Sequence, residues 1–184
     1  MSDYTIPRPA AGDITDLIAD DHRLFESLMR DMRDATADRE AARAAFAALL
    51  IAHSEAEEEV VYPKLVRRDV IEGEEEHHGE KEHAATNEAL LHLLQAKGTD
   101  TQKFDDAVEA VAEVLNHHIG EEEQTILNPA REDAPEELRQ QLGADWAARR
   151  NELLEDGAGS LEQVESLVKQ AYEDGLLPND DQPS

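Results

Sequence analysis

The chain has 184 residues, with 17 Lys and Arg against 44 Asp and Glu, a formal net charge of −27. Such a chain repels phosphate backbones and anionic bilayers, which argues against nucleic acid and membrane as partners recruited by charge, and it makes multivalent cations natural ligands. The absence of Cys removes disulfides, thiol catalysis, iron–sulfur clusters and thiolate zinc sites.

Aromatics make up only 4% of the chain against 40% apolar residues overall, a profile of helices rather than sheets. No apolar run approaches the ~18 residues of a membrane span. The start, Met1-Ser-Asp-Tyr, lacks the basic and apolar stretches of a leader, so the cytoplasm is the expected compartment. Residues 1–12, with two Pro and a Gly, read as an irregular lead-in.

A first helix is predicted from Asp13, striped by Ile14, Leu17, Ile18, Phe25, Leu28, Met29 and Met32 and fading over 33–39. A second covers about 40–62, with Phe46, Leu49, Leu50, Val60 and Val61, and Pro63 is expected to stop or kink it. The charged stretch 67–75 is a connection. A third helix spans about 75–97, ending in Leu90, Leu91, Leu93 and Leu94, and Gly98-Thr-Asp stops it and caps the next. The fourth, about 101–127, carries Val108, Val111, Val114, Leu115, Ile119 and Ile126 and is expected to end at Asn128-Pro129. Two amphipathic segments follow. One, about 135–155, holds Leu138, Leu142, Trp146 and Leu153; the other, about 160–173, holds Leu161, Val164, Leu167 and Val168. They read as a cap on the bundle or as a dimer contact, and the tail 177–184 reads as disordered. The expected fold is all-α, an up-down-up-down four-helix bundle over 13–130 with a C-terminal helical extension over 131–184.

The 8 His are His22, His53, His77, His78, His83, His92, His117 and His118, all within the four bundle helices. Their place relative to the apolar stripes separates them. His22 falls among Ile14, Ile18, Phe25 and Met29. His53 lies between Leu49, Leu50 and Val60, Val61, and His83 leads into Leu90 and Leu94. His118 sits between Val111, Val114, Leu115 and Ile126. Each helix therefore offers an imidazole to a shared core. Neighbouring helical residues differ by about 100°, so the stripe favours His118 over His117. His78, five positions before His83, is a fifth nitrogen ligand only if the helix starts irregularly at Gly79. His92, with no acid four residues on, is peripheral.

A His four residues before a Glu offers one metal a neutral nitrogen and an anionic oxygen from one helix face. Five such pairs occur, His22/Glu26, His53/Glu57, His78/Glu82, His117/Glu121 and His118/Glu122, where acidic content alone gives about 2 by chance. Spacing alone is thus a weak signal. Two pairs carry more, because His53 to Pro63 and His118 to Pro129 repeat one pattern: His, Glu at +4, an acidic neighbour, apolar residues, then Pro. Each sets a carboxylate in line with an apolar stripe, and two buried carboxylates beside imidazoles make sense around a highly charged cation. Glu55, Glu59, Glu121 and Glu123 read as a solvated acidic face, and Trp146 as a packing residue.

These motifs (Asp21-His22, His53-x-x-x-Glu57 with Pro63, Glu82-His83, His118-x-x-x-Glu122 with Pro129) resemble the hemerythrin-like, HHE cation-binding family over about 13–130. The resemblance implies a four-helix bundle holding two non-haem irons, oxo- or hydroxo-bridged. It implies His22, His53, His83 and His118 as nitrogen ligands, and Glu57 and Glu122 as bridging or chelating carboxylates. Manganese and zinc suit the same donors. Glu26, Glu58 and Glu82 are alternatives for a vacant position. The oxygen carriers of the family place two His four apart on the third helix and end the fourth with His and Asp five apart. Here the third helix has His78 and His83, and Glu122 stands in place of the Asp, so reversible oxygen transport is not what the resemblance implies. The first expectation is a monomeric or homodimeric protein that binds or senses O2, peroxide or nitric oxide, or holds iron. The second is an enzyme that decomposes peroxide or reduces nitric oxide. The third is a purely structural bundle with His and Glu as ordinary core groups.

Overall fold

The computed structural model describes residues 4–178. Its helices begin where a side chain can satisfy the free N–H groups of a first turn. Asp13, Asp38, Thr101 and Ser160 each accept from a backbone N–H two or three residues ahead, at 3.0–3.2 Å. Among the described residues the order is α1 (Ile14–Arg33), α2 (Arg39–Ala56), a π-helical turn π1 (Glu57–Val61), α3 (Tyr62–Arg67), α4 (Gly73–Gln95), α5 (Gln102–Glu122), a second π-helical turn π2 (Glu123–Leu127), α6 (Asn128–Asp133), α7 (Glu136–Glu155) and α8 (Leu161–Glu173), with no strand.

The two prolines do not end their helices. α2, π1 and α3 run on as one rod to Arg67, and α5, π2 and α6 as another to Asp133. In an α register the proline ring clashes with the carbonyl four residues back. Here the Tyr62 N–H donates to the Glu57 carbonyl five residues back, and the Asn128 N–H to that of Glu123. Pro63 and Pro129 then sit in the first turn of α3 and α6, where the missing donor costs nothing. Packing supplies a second reason. His53, Glu57, Val61 and Leu65 are all buried, as are His118, Glu122, Ile126 and Ala130. A spacing of four drifts by about 40° per step in a regular α-helix, and a widened turn winds the series back towards the core.

α1 lies against α2 and α5, and α4 against α5 and α2, so four rods close around one interior. α7 covers α1 and α2, and α8 covers α4; Leu142, Trp146, Ala147 and Val164 are buried in the same core as Phe25, Phe46, Leu90 and Leu115. The extension thus lies on the bundle. The expected tail starts too early, since Leu177 is buried; residues 179–184, and 1–3 of the lead-in, lie outside the described residues. No helix among the described residues is long and apolar enough to cross a membrane.

The lead-in is irregular but tied down. The Arg150 and Asn151 side chains donate to the carbonyls of Pro7 and Pro9, at 3.0 and 2.8 Å. Where it crosses α7, a Cβ built on Gly143 would stand 1.9 Å from the Gly12 carbonyl oxygen. Gly143→Ala is therefore expected to destabilise the fold by about 1–3 kcal/mol, the usual cost of overpacking a tight contact. A thermal melt checks this; an unchanged midpoint shows that the lead-in does not need its seat on α7.

Candidate metal centre

The inner stripes of the four rods bring His22 (α1), His53 (α2), Glu57 (π1), His83 (α4), His118 and Glu122 (both α5) to one level, all no more than 7% exposed. They fall into two groups, His22, His53 and Glu122, and Glu57, His83 and His118. Within each group the donor atoms lie within 4.8 Å of one another. The carboxylates cross over. Glu57, in the rod of His53, sets Oε1 3.1 Å from His53 Nε2 and Oε2 3.3 Å from His83 Nε2. Glu122, in the rod of His118, sets Oε2 3.2 Å from His22 Nε2 and 3.8 Å from His118 Nε2. Each acid thus touches both groups. Tyr62, stacked on His83, donates its hydroxyl to Glu122 Oε1 at 2.8 Å and lies 3.4 Å from Glu57 Oε2.

The outer nitrogens of three rings face carboxylates. Asp21 Oδ2 is 3.1 Å from His53 Nδ1, Glu58 Oε1 is 2.7 Å from His83 Nδ1, and Glu82 Oε2 is 3.0 Å from His118 Nδ1. A ring that donates Nδ1–H outward presents the Nε2 lone pair inward. Were both rings neutral, His83 Nε2 and His118 Nε2 would be two lone pairs 3.1 Å apart. His22 Nε2, His53 Nε2, Glu57 Oε1 and Glu122 Oε2 are buried without any hydrogen bond. Bare nitrogens and carboxylate oxygens pointed at one another repel unless something positive lies among them, and imidazole with carboxylate is the donor set of iron, manganese or zinc.

Burial works against a charged His53, but Glu57 and Asp21 outweigh it and raise its pKa to about 10. His83 is likewise raised to about 10, burial being overcome by Glu57 and Glu58. Burial pushes the Glu57 carboxyl up, yet His53 and His83 hold it well below the usual range. Burial, with Glu122 and Glu57 beside it, lifts the Tyr62 hydroxyl well above its ordinary value.

The other sequence candidates lie elsewhere. His78 is half-exposed on a helix that runs regularly through Gly79, with Nε2 3.6 Å from Glu82, so it is no fifth member of the ring. His92, His117 and Glu26 are exposed. Glu58 and Glu82 stand behind His83 and His118 rather than among the inward donors. Glu59 pairs with Arg149 and Glu123 with Arg131. Trp146 is fully buried and sets its ring edge-on to His53, 5.7 Å away. Tyr62 and Arg150, which pairs with Asp21, were not singled out by stripe or spacing. Arg150 had a signal: it lies four residues after Trp146 and three before Leu153, on the buried face of α7.

No solved structure matches the chain. A DNA nickase from Nostoc sp. is 27% identical over 143 residues, 76% of this chain and 40% of the relative, so the chain spans less than half of that protein's length. The profile of the hemerythrin HHE cation binding domain matches residues 13–130, more than half of the sequence. Over that span lie both His–Glu–Pro motifs and every inward-facing donor of the ring, and the chain belongs to the hemerythrin HHE cation-binding domain family.

Proposed function

We propose that the protein is a non-haem di-iron protein that binds or senses dioxygen, peroxide or nitric oxide, or holds iron, with His22, His53, His83, His118, Glu57 and Glu122 as ligands in an up-down-up-down bundle. The observation that carries this reading is the pair of buried His2Glu groups, in which His22 Nε2, His53 Nε2, Glu57 Oε1 and Glu122 Oε2 have no hydrogen bond. Two irons held there would supply the redox and ligand-binding chemistry. The chain supplies the rest. Glu57 and Glu122 reach both groups and suit bridging. Asp21, Glu58 and Glu82 orient the imidazoles and fix which nitrogen looks inward. Tyr62 holds the free oxygen of Glu122, and Leu50 and Leu115 with the rods around them keep bulk water out.

His53→Ala and His118→Ala are each expected to bring iron content well below the wild-type value, with His92→Ala unchanged, as measured by metal analysis of freshly purified protein. Loss in His92→Ala with retention in the other two would sink the ligand assignment. Peroxide turnover by the iron-loaded protein, absent in the metal-free form, would move the reading from binding protein to enzyme.

The likeness to a DNA nickase favours a second reading, strand cleavage, and 44 acidic against 17 basic residues oppose it, since this surface repels a phosphate backbone. Closed-circular plasmid that survives incubation with the iron-loaded chain retains the first reading.

A further inference from the structure

The two halves of the centre differ in what stands behind them, and the difference comes from α7. Arg150, 1% exposed, grips Asp21 in a two-pronged pair, Nε to Oδ2 and Nη2 to Oδ1, both at 2.7 Å. Its Nη1 is anchored in turn by the Pro7 carbonyl at 3.0 Å and Asn151 Oδ1 at 3.2 Å. The guanidinium is thus fixed, and Asp21 with it, at 3.1 Å from His53 Nδ1. Trp146, one turn earlier on α7, meets the His53 ring edge-on, and the guanidinium carbon lies 5.5 Å from the Trp146 ring. The acids behind the other half are differently placed. The Glu58 and Glu82 side chains are 33% and 11% exposed, and among the described residues their ion-pair partners are imidazoles only.

We propose that Arg150 is a positioning residue of the metal centre. It locks Asp21, and through it the ring of His53. By cancelling the Asp21 charge it leaves the His22–His53–Glu122 half less electron-rich than the Glu57–His83–His118 half. A bare carboxylate on Nδ1–H makes an imidazole a stronger donor, and one neutralised by a forked guanidinium pulls less on that proton. Arg150 lies outside the span matched by the family, so the C-terminal extension takes part in setting the centre's properties. The proposal rests on the di-iron reading above.

The test loads wild type, Arg150→Met, Arg150→Lys, Asp21→Asn and the pair Asp21→Asn/Arg150→Met with Fe(II), then measures iron content and the reduction potential of each step. Arg150→Met leaves Asp21 bare. The preference for ferric over ferrous iron is expected to rise about tenfold at one of the two irons, a fall of about 59 mV in that one-electron step, with the other step unmoved. Arg150→Lys, which keeps the charge, is expected to stay near wild type. The double variant, with no bare buried charge, is expected to return there. Asp21→Asn alone leaves the guanidinium unopposed and should move the same step upward, which decides the matter if Arg150→Met does not fold. Potentials that do not follow the sign of the charge change overturn the proposal, as does an Arg150→Met shift that Asp21→Asn fails to reverse. A wild-type chain that takes up no iron defeats the di-iron reading itself, and this proposal with it.

Discussion

Stripping the loaded protein with a chelator is expected to lower its thermal midpoint by roughly 8–16 °C. Ligand that binds only the folded state stabilises by about 4 kcal/mol at a thousandfold excess over Kd. In chains of this length each kcal/mol moves the midpoint by about 2–4 °C. The molecular cause is the ring itself. Without a cation, donors of α1, α2, π1 and α5 face one another without a hydrogen bond; with one, the six side chains tie all four rods together. Returning Fe(II) under anaerobic conditions should restore the midpoint. Calorimetry that finds it unmoved by both steps would leave the six residues as ordinary polar packing of a structural bundle.

The loaded and stripped forms are also expected to respond to pH in opposite senses. In the stripped form His53 and His83 are raised to about 10 from an ordinary value of 6.5. Their contribution to folding is therefore fully present below about pH 6.5 and is lost as the pH climbs through about 10. Glu57, held well below 4.5, contributes above that value and loses its contribution as the pH falls further. The loaded form runs the other way on the alkaline side. A cation takes neutral imidazole, so it competes with those protons, and its apparent affinity grows as they become easier to remove. The gap between the two midpoints should widen from pH 6.5 to 9.5, and metal added at pH 7 in weak buffer should acidify the solution. Parallel stability curves for the two forms would contradict the assignment of His53 and His83 as ligands.

Much of this was legible in the sequence because the same pattern reports both fold and site. Ile14, Ile18, His22, Phe25 and Met29 share one stripe, so asking which His faces inward also asks where the core is. That reasoning brought out the six residues the structure gathers, and separated His118 from His117. It failed at Pro63 and Pro129, where a local rule about proline met a longer-range demand for inward-facing residues at a spacing of four, and the widened turns met both. The spacing was visible in His53, Glu57, Val61 and Leu65, but only the packed partner rods show which side needed it. Tyr62 and the Arg150–Asp21 pair escaped for a related reason. Contacts between residues 60 and 129 positions apart leave no periodic trace in a single chain.

The widened turns have a mechanical consequence. A five-residue hydrogen-bond loop is looser than the four-residue loops on either side, and in both acid-bearing rods it falls beside the carboxylate. Two otherwise stiff struts therefore yield at the same height, and exchanging a small cation for a larger one would be absorbed as a slight flexing of both struts rather than as broken ladders elsewhere. The amide protons of Tyr62 and Asn128, donors of the long bonds, are the natural gauges of that give in hydrogen exchange.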